Sequence, residues 1–378
     1  MKVACISVSR VPSSTANSMQ ALKASQGIIQ LGHEIRLFLP IYSQQVHNVD
    51  LSSYYGLEAP LEIEWIPSPR RLHHYDFAFR AVQKARRMNA DLCYVWLLQA
   101  GIFSLIFGLP TILELHGPPE GRFGPSLFRL FQRIPGEKRI LPITHALAEQ
   151  LHEHFNFDAN NSSLTCISPN GIDLGHYSNL PGPSAARELL NLPPMLTIGY
   201  TGHLYPGRGM SLLMELAKRF PNIHFLWVGG QPGDVIKWRD KLSAEKIENI
   251  TLMGFVQNRQ LPIYQAAADI LLMPYEKVIT GSSGGNSATY ASPMKMFEYM
   301  ASKRAIISSD LPVIREVLNP TNAVLCPPED ISAWSRSIEY LIADDNIRLT
   351  IAQQAWKDVQ QYTWNERARK ALTGFNPQ

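Results

Sequence analysis

The stretch Ser292–Asp310, SPMKMFEYMASKRAIISSD, combines a helix signal with a buried-strand signal. Ser292 is the expected N-cap, and Pro293 fits the first turn of a helix, where a missing N–H costs nothing. Apolar side chains then recur at helical spacing and predict the buried face of this helix: Met294, Phe297, Met300 and Ala301. The apolar run Ala305–Ser308 predicts a buried parallel strand directly after the helix. This sequence of elements is typical of an α/β fold.

Glu298 lies beside the predicted buried face of this helix rather than opposite it. A carboxylate near a packed face is costly unless it has a partner, so a binding role is one interpretation. The alternative is an ordinary surface glutamate at the edge of that face. The helix pattern alone leaves both interpretations open.

Apolar runs of strand length recur along the chain and alternate with segments of helix length, which indicates parallel sheets covered on both faces. Six runs lie in the first half: Val3–Val8, Glu34–Leu39, Cys93–Trp96, Pro110–His116, Arg139–Thr144 and Leu164–Ser168. Six lie in the second half: Leu196–Tyr200, His224–Val228, Ile250–Phe255, Ile270–Met273, Ala305–Ser308 and Ala323–Cys326. We therefore predict two doubly wound, Rossmann-like α/β domains. A proline-rich segment at 179–194 separates the two series and predicts domains over residues 1–178 and 179–362.

The composition excludes several classes of protein. With 45% hydrophobic and 18% charged residues, it is that of an ordinary globular chain, and a net charge of +3 is too small to indicate a nucleic-acid partner. The four cysteines are scattered without metal or redox spacing, which favours reduced thiols in a cytoplasmic protein. The N-terminal segment has no long apolar run, so we expect no secretory signal. The apolar run Tyr94–Pro110 is too short and too polar for a membrane span.

The second half carries a candidate phosphate site. Ligands of doubly wound domains bind at the carboxyl ends of the strands. There, the run Leu196–Tyr200 leads into a glycine-rich turn, Gly202–Gly209, which contains Arg208. Glycine permits close backbone approach, the N-terminus of the next helix favours negative charge, and arginine can form a bidentate phosphate contact. Gly229 and Gly230 follow the next strand. The turn lacks the Gly-Lys-Ser/Thr ending of a Walker loop.

Two features of the first half also follow strands. His116 ends a strand and precedes a stiff Gly-Pro-Pro turn, so it is either a binding residue or a core histidine with a satisfied ring. The Ser/Thr/Asn loop after the first strand contains Asn17 and Ser18, which could meet an acceptor or a sugar, or simply cap the next helix. This loop lacks the glycine fingerprint of a dinucleotide dehydrogenase.

Two stretches of the first half, Arg70–Arg87 and Arg122–Arg139, are rich in basic residues, and the second also carries phenylalanines. A basic helix with aromatic residues can lie on an anionic membrane surface. The alternative is a solvated helix face above a core stripe. The membrane interpretation predicts peripheral contact with the inner membrane face and an anionic or lipid-linked acceptor.

In this order, the motifs resemble those of the family 4 retaining glycosyltransferases, which have the GT-B fold. The resemblance covers nearly the whole chain and rests on Leu31–Glu34, His116–Gly117, Pro169–Asp173, Gly202–Gly209, Gly229–Gly230, Gly254–Val256 and Ser292–Asp310. It implies two Rossmann-like domains that face each other across a cleft, with a last helix, 363–378, packed back on the N-terminal domain. It also implies a hexosyltransferase activity that moves a sugar from a nucleotide-diphosphate sugar to an acceptor hydroxyl, with retention and without metal or cofactor.

The resemblance also assigns roles to individual residues. Catalysis would rest on His116 beside the transferred sugar, Arg208 at the phosphates and Glu298 at the ribose hydroxyls. In the donor site, the backbone of Val256 would meet the base, and the first N–H groups of the helix would hold the diphosphate. The donor-binding positions implied are His203, Gly202, Gly229, Gly230, Val256, Ser292, Pro293, Met294, Lys295 and Tyr290.

Two positions depart from the family pattern. The family often has a glutamate, seven residues and a second glutamate, whereas here Tyr290 occupies the first position and Glu298 the second. His203 stands where an arginine is common, and a neutral imidazole weakens a phosphate clamp. The glycine-rich run Gly281–Ser287 is either a candidate flap that could read the sugar hydroxyls instead or a plain surface loop.

Several functions remain open from the sequence. The donor is expected to be a UDP- or GDP-sugar, and the acceptor is a glycan, a glycolipid or a small polyol. A GT-B epimerase or hydrolase of sugar nucleotides would use the same donor site. A non-catalytic nucleotide-sugar-binding protein would also keep it.

Overall fold

The computed structural model describes residues 1–42, 50–69, 72–279 and 286–375. Its contacts divide the chain into two compact units. The first unit contains Met1–Gly171, Tyr290–Ser292 and Trp364–Gln378, and the second contains Ile172–Thr289 and Pro293–Thr363.

These unit boundaries differ from the predicted ones at 178/179 and 362/363. The Ile172 N–H donates to the Tyr362 carbonyl at 2.9 Å, and Ile172 pairs with Thr363 in an isolated parallel bridge. The Tyr177 hydroxyl also donates to the Gln265 side chain at 3.0 Å. These bonds explain why the segment after Gly171 belongs to the second unit.

The first unit contains one fully parallel sheet with strand order β3-β2-β1-β4-β5-β6. Its strands are β1 (Lys2–Ile6), β2 (Glu34–Ile41), β3 (Ile63–Pro67), β4 (Leu92–Val95), β5 (Thr111–Leu115) and β6 (Lys138–Pro142). Its helices are α1 (Ala16–Gln30), α2 (Leu51–Tyr55), α3 (Tyr75–Arg87), α4 (Leu98–Ile106), α5 (Gly124–Arg133), α6 (His145–Phe155) and the last helix, α15 (Trp364–Leu372).

The second unit contains a parallel sheet of the same topology, with order β12-β11-β10-β7-β8-β9. Its strands are β7 (Thr197–Thr201), β8 (His224–Val228), β9 (Ile250–Gly254), β10 (Ile270–Met273), β11 (Ala305–Ser309) and β12 (Val324–Cys326). Its helices are α7 (Pro183–Leu189), α8 (Met210–Arg219), α9 (Pro232–Ala244), α10 (Leu261–Ala266), α11 (Met294–Ala301), α12 (Pro312–Arg315), α13 (Ile331–Ala343) and α14 (Asp345–Val359). The prediction of two doubly wound sheets is confirmed.

Both faces of each sheet are covered, as the apolar runs predict. In β1, Val3 and Cys5 pack into one buried cluster, whereas Ala4 and Ile6 pack into the cluster on the opposite face. Helix α15 contributes Ala368, Ala371 and Leu372 to the cluster that contains Val3. Among the residues described, every helix is too short or too polar to cross a bilayer.

The strand predictions hold except in two places of the first unit. The segment Ile63–Pro67 forms the edge strand β3, which the apolar pattern missed because Glu64 interrupts it. Conversely, Leu164–Ser168 is not a strand, and only Thr165 forms an isolated bridge with Ile140.

The start of helix α11 also differs from the prediction. Pro293 occupies the N-cap position, and Ser292 lies one residue outside the helix. The Ser292 hydroxyl accepts a hydrogen bond from the Asn170 N–H at 3.0 Å instead of capping the helix. Phe297, Met300 and Ala301 are buried as predicted, whereas Met294 is only partly buried.

Candidate functional site

The carboxyl edge of the second sheet collects most of the predicted donor-binding residues. Strands β7 and β10 are neighbours, and the chain proceeds from them to opposite sides of the sheet. Such a switch point is where doubly wound sheets bind ligands. The glycine-rich turn with Arg208 follows β7, and Tyr275 follows β10.

Lys295, in the first turn of α11, extends its side chain into this edge. Its Nζ atom lies 4.1 Å from the centroid of the Tyr200 ring and 5.3 Å from that of Tyr275. A Cβ added at Gly202 would lie 2.6 Å from the same Nζ atom, so the ammonium group is next to the turn after β7. Burial, followed by the nearby Arg208, lowers the pKa of Lys295 well below its ordinary value, and Glu298 only partly offsets them.

Arg208 contacts the same aromatic group. Its Cζ atom lies 5.0 Å from the centroid of Tyr275 and 4.9 Å from that of Tyr205. Its Nη2 donates to the Tyr205 hydroxyl at 2.8 Å, whereas its Nε is buried without a hydrogen-bond partner. The Tyr275 ring is therefore shared by two cations.

In the described part of the chain, neither Lys295 nor Arg208 forms an ion pair with a carboxylate. Two half-buried positive charges at close range repel each other. The aromatic faces stabilise them in part through cation–π contacts. A bound anion would remove the repulsion, so this edge of the sheet is suited to a group that carries more than one negative charge.

The glycines at this edge bring neighbouring backbones together. The Gly202 N–H donates to the Val228 carbonyl at 2.9 Å, and the Gly229 N–H donates to the Gly254 carbonyl at 2.7 Å. Gly230 follows with φ of 88° and leads into helix α9. The turns after β7, β8 and β9 therefore lie side by side, as the glycine pattern predicts.

Glu298 projects from α11 into a polar group below the turn. One of its carboxylate oxygens accepts from the Gln265 Nε2 at 3.2 Å, and that nitrogen also lies 3.2 Å from the Thr201 hydroxyl. The Gln265 side-chain oxygen accepts from the Tyr177 hydroxyl. Gln265 is fully buried and fixes the orientation of the carboxylate. No pattern in the sequence predicts a role for Gln265, because it lies on a different helix from Glu298.

The remaining predicted residues of the second unit lie near this edge. The His203 ring stacks on Tyr205, with 5.0 Å between the centroids, and the His203 carbonyl accepts from the Tyr200 hydroxyl at 2.5 Å. Val256 follows β9 and packs on a small buried cluster. Pro293 and Met294 open α11, whose first N–H groups have no acceptor within the helix.

In the first unit, His116 follows β5 and contacts a buried carboxylate. Its Nε2 lies 2.6 Å from the Glu114 Oε1, and the imidazole remains about one-third exposed, at 31%. Glu114 is fully buried and also accepts from the Tyr94 hydroxyl and the Gln20 side chain. Burial would raise the pKa of Glu114, but Arg367, and then His116, outweigh burial and bring that pKa to about 2.

Arg367 of helix α15 is the principal partner of Glu114. Its Nη2 lies 2.7 Å from the Glu114 Oε1, and its Nη1 donates to the Tyr94 hydroxyl at 3.0 Å. Its Nε donates to the Pro169 carbonyl at 2.8 Å. Glu114 and Arg367 were not predicted as functional residues from the sequence. A glutamate within an apolar strand was the available signal, since a buried charge requires a partner.

The segment Tyr290–Ser292 belongs to the first unit and is held by side chains from two other segments. The Thr144 hydroxyl donates to the Tyr290 carbonyl at 3.1 Å, and the Asn170 Nδ2 donates to the Ser292 carbonyl at 2.6 Å. The Tyr290 ring covers Gly117, since a Cβ added there would lie 3.1 Å from the ring. Tyr290 is therefore adjacent to the turn that follows His116.

The two predicted acceptor-side residues of α1, Asn17 and Ser18, differ in solvent exposure. Ser18 is fully buried, and its hydroxyl donates to the Arg10 carbonyl at 2.6 Å. Asn17 is exposed in the first turn of α1. Neither residue caps the helix, because Thr15 occupies the N-cap position. Of the predicted flap Gly281–Ser287, the part 281–285 lies outside the described residues.

Two family models match separate parts of the chain. The model described as Glycosyltransferase Family 4 matches residues 19–176, and the one described as Glycosyl transferases group 1 matches residues 196–344. Together the two matches cover most of both halves.

Curated relatives carry related names. The putative teichuronic acid biosynthesis glycosyltransferase TuaH of Bacillus subtilis is 27% identical over 154 residues, which are 40% of this chain and 36% of that protein. The phosphatidyl-myo-inositol mannosyltransferase of Mycolicibacterium smegmatis is 26% identical over 264 residues, 68% of this chain and 62% of that protein. The chain thus spans less than two thirds of the length of either relative.

Among solved structures, Anabaena HepE in complex with UDP matches with a TM-score of 0.73 at 17% identity, and the match covers 98% of each chain. Such a likeness shows a shared fold.

Gly209 provides a test of the turn that carries Arg208. It has φ of 71°, and an added Cβ would collide with the Pro274 carbonyl. We expect Gly209→Ala to lower the free energy of unfolding by more than about 1 kcal/mol, because alanine is strained at positive φ. Gly233→Ala, within α9, is the matched control, since nothing lies within 4 Å of its added Cβ. Urea unfolding of both variants would measure the difference, and equal midpoints would contradict this account of the turn.

Proposed function

Because the chain belongs to the family 4 (group 1) glycosyltransferases and has their GT-B fold, we propose that it transfers a sugar from a nucleotide-diphosphate sugar to an acceptor hydroxyl, with retention at the anomeric carbon. One observation carries this proposal. Lys295 and Arg208 share the Tyr275 ring at the switch point of the second sheet, where a diphosphate would meet both charges.

The chemistry of sugar transfer explains the need for these cations. The bond from the anomeric carbon to the diphosphate breaks, and negative charge develops on the departing phosphate oxygen. Lys295, Arg208 and the first N–H groups of α11 would stabilise that charge without a bound metal. The two positive side chains then act where charge develops in the transition state, which lowers the barrier rather than only tightening binding.

Glu298 is assigned to the ribose of the donor. A carboxylate can accept two hydrogen bonds from vicinal hydroxyls. Gln265 holds one of its oxygens and limits the orientation of the side chain. The turns at Gly229 and Gly230 and the backbone near Val256 are assigned to the rest of the nucleotide.

In the first unit, His116 is assigned to the transferred sugar and Tyr290 to a sugar contact by its aromatic ring. Tyr290 stands where the family pattern has an acid, and a ring can pack on the apolar face of a pyranose but cannot accept as a carboxylate does. The names of the two curated relatives mention teichuronic acid biosynthesis and phosphatidyl-myo-inositol. We propose a polyol hydroxyl of a glycan or a glycolipid as the acceptor.

The proposal is tested by turnover of UDP- and GDP-sugars with panels of glycans, polyols and lipid-linked polyols. Product should form only when an acceptor is present. Proton NMR of that product should show that the transferred sugar keeps the anomeric configuration that it had in the donor. Nucleotide release without acceptor would indicate a hydrolase, and a changed sugar without transfer would indicate an epimerase. Binding of the donor without any reaction would indicate a non-catalytic binding protein.

The cation pair is tested by Lys295→Met and Lys295→Arg. A hydrogen bond to a charged group contributes about 1.5–3 kcal/mol, so we expect Lys295→Met to weaken binding of the preferred nucleoside diphosphate by roughly 10- to 100-fold. Lys277→Met, at an exposed lysine of the same unit, is the control and should bind normally.

The pH dependence of binding follows from the lowered pKa of Lys295. A diphosphate favours the ammonium form, so above the pKa of the free protein binding must take up a proton, and affinity falls as pH rises. Lys295→Arg should abolish this dependence, because arginine stays charged. Titration calorimetry between pH 7 and 9.5 measures it, and identical slopes for the wild type and Lys295→Arg would contradict the assignment.

We also propose that the first unit contacts an anionic membrane through helix α5. The outer face of this helix combines Arg129 and Arg133 with Leu130, which is 46% exposed, and Phe123 before the helix is 60% exposed. Basic and apolar groups on one face suit a surface of anionic lipids. The inner side of α5 is anchored by the fully buried Phe131. Arg70 and Arg71 of the other basic stretch lie outside the described residues.

The membrane contact is tested by vesicle co-sedimentation. We expect binding to phosphatidylcholine vesicles that contain phosphatidylglycerol, and its loss in the double variant Arg129→Glu/Arg133→Glu, because each basic residue contributes about 1 kcal/mol near an anionic surface. The charge-matched control Arg336→Glu/Lys357→Glu changes exposed residues of the second unit and should bind as the wild type does. Equal loss in both double variants would indicate a net-charge effect and contradict a specific face.

A further inference from the structure

The buried group around Glu114 has a consequence for the chemistry of His116. The low pKa of Glu114 means that its carboxylate is ionised at neutral pH and can only accept hydrogen bonds. The 2.6 Å contact therefore requires that the His116 Nε2 carries a proton and donates it. In a neutral imidazole only one nitrogen carries a proton, so the Nδ1 atom must be the acceptor.

We infer that Glu114 and Arg367 are positioning residues that hold neutral His116 as the Nε2–H tautomer and present its Nδ1 as a hydrogen-bond acceptor. The inference rests on the proposed function for the identity of the ligand, a sugar hydroxyl that donates to Nδ1. The tautomer itself follows from the contacts within the first unit and does not depend on the reaction.

Both Glu114 and Arg367 are needed to set the tautomer of His116. The Glu114 Oε1 receives the His116 Nε2–H, the Arg367 guanidinium and the Gln20 amide, while its Oε2 receives the Tyr94 hydroxyl. Without a positive partner, a fully buried carboxylate would take up a proton and become a donor itself. Arg367 keeps the carboxylate ionised, and the ionised carboxylate determines the tautomer of His116.

Arg367 is in turn held by several contacts of the helix that carries it. Its guanidinium donates to the Pro169 and Ser168 carbonyls, and α15 packs its apolar side chains into the cluster next to α1. The terminal helix therefore supplies the charge that orients a histidine at the end of β5. A terminal helix that only completed the core would not need a buried arginine.

The first test is spectroscopic and uses the full-length chain. Protein labelled with ¹⁵N-histidine is studied by two-bond ¹H–¹⁵N correlation at pH 8, and the His116 signals are identified by their loss in His116→Asn. We expect the Nε2–H tautomer for His116. A dominant Nδ1–H tautomer, or the averaged pattern of free histidine, would overturn the inference.

The second test replaces the acceptor. In Glu114→Gln an amide, which can donate as well as accept, takes the place of the carboxylate, so the tautomers of His116 should mix. We expect kcat to fall by about twofold or more, in proportion to the lost population of the Nε2–H tautomer, while the KM for the donor remains unchanged. A retained Nε2–H tautomer in this variant would contradict the role of Glu114.

Variants of α15 separate positioning from folding. Arg367→Met should mix the tautomers, and Arg367→Lys should restore them in part, whereas Arg369→Met changes an exposed residue of the same helix and should have no effect. Should Arg367→Met fail to fold, the wild-type tautomer and Glu114→Gln still test the inference. Tyr94→Phe leaves Arg367 beside Glu114 and should keep the Nε2–H tautomer. Absence of transfer with every acceptor, together with an intact tautomer, would contradict the proposed function and not this inference.

Discussion

Glu114 is a fully buried carboxylate at the centre of the first unit, and its need for partners constrains much of that unit. An unpaired buried charge is prohibitively costly, and removal of one partner of a buried ion pair typically costs about 3–5 kcal/mol. The partners come from three other elements and from the turn after β5: Gln20 from α1, Tyr94 from β4, Arg367 from α15, and His116 from the turn. Their convergence ties the terminal helix to the sheet. It also fixes the orientation of the His116 imidazole, which follows β5.

The second unit presents the opposite electrostatic arrangement. Lys295 and Arg208 lie on aromatic rings without an ion pair in the described part of the chain, so positive charge is concentrated instead of neutralised. Such an arrangement costs free energy when no ligand is bound, as the lowered pKa of Lys295 indicates. A diphosphate offsets that cost on binding, and the same charges stabilise it further as it departs. The first unit therefore uses buried charge for positioning, and the second uses uncompensated charge for binding.

Three local features of the structure differ from what the sequence predicts, each for a specific reason. Strand β3 was missed because it is an edge strand whose residues are mostly half-buried, so its apolar pattern is weak. The run Leu164–Ser168 has the composition of a strand but pairs with β6 through one bridge only. Ser292 is of a residue type that favours the N-cap, yet its hydroxyl accepts a hydrogen bond from the Asn170 N–H instead. At Ser292, a contact distant in sequence overrode a sound local preference.

The sequence by itself determined the two series of strands, the glycine turns at their carboxyl ends, and the positions of His116, Arg208 and Glu298, because period and spacing report the neighbours of a residue within its own element. Only the tertiary structure decided that Arg367 neutralises Glu114, that Lys295 lies over Tyr200 and Tyr275, and that Gln265 holds Glu298. These pairs join residues on separate elements. Strand order and helix packing decide which of these residues meet. Both are determined by the need to cover the sheets and to pair the buried charges.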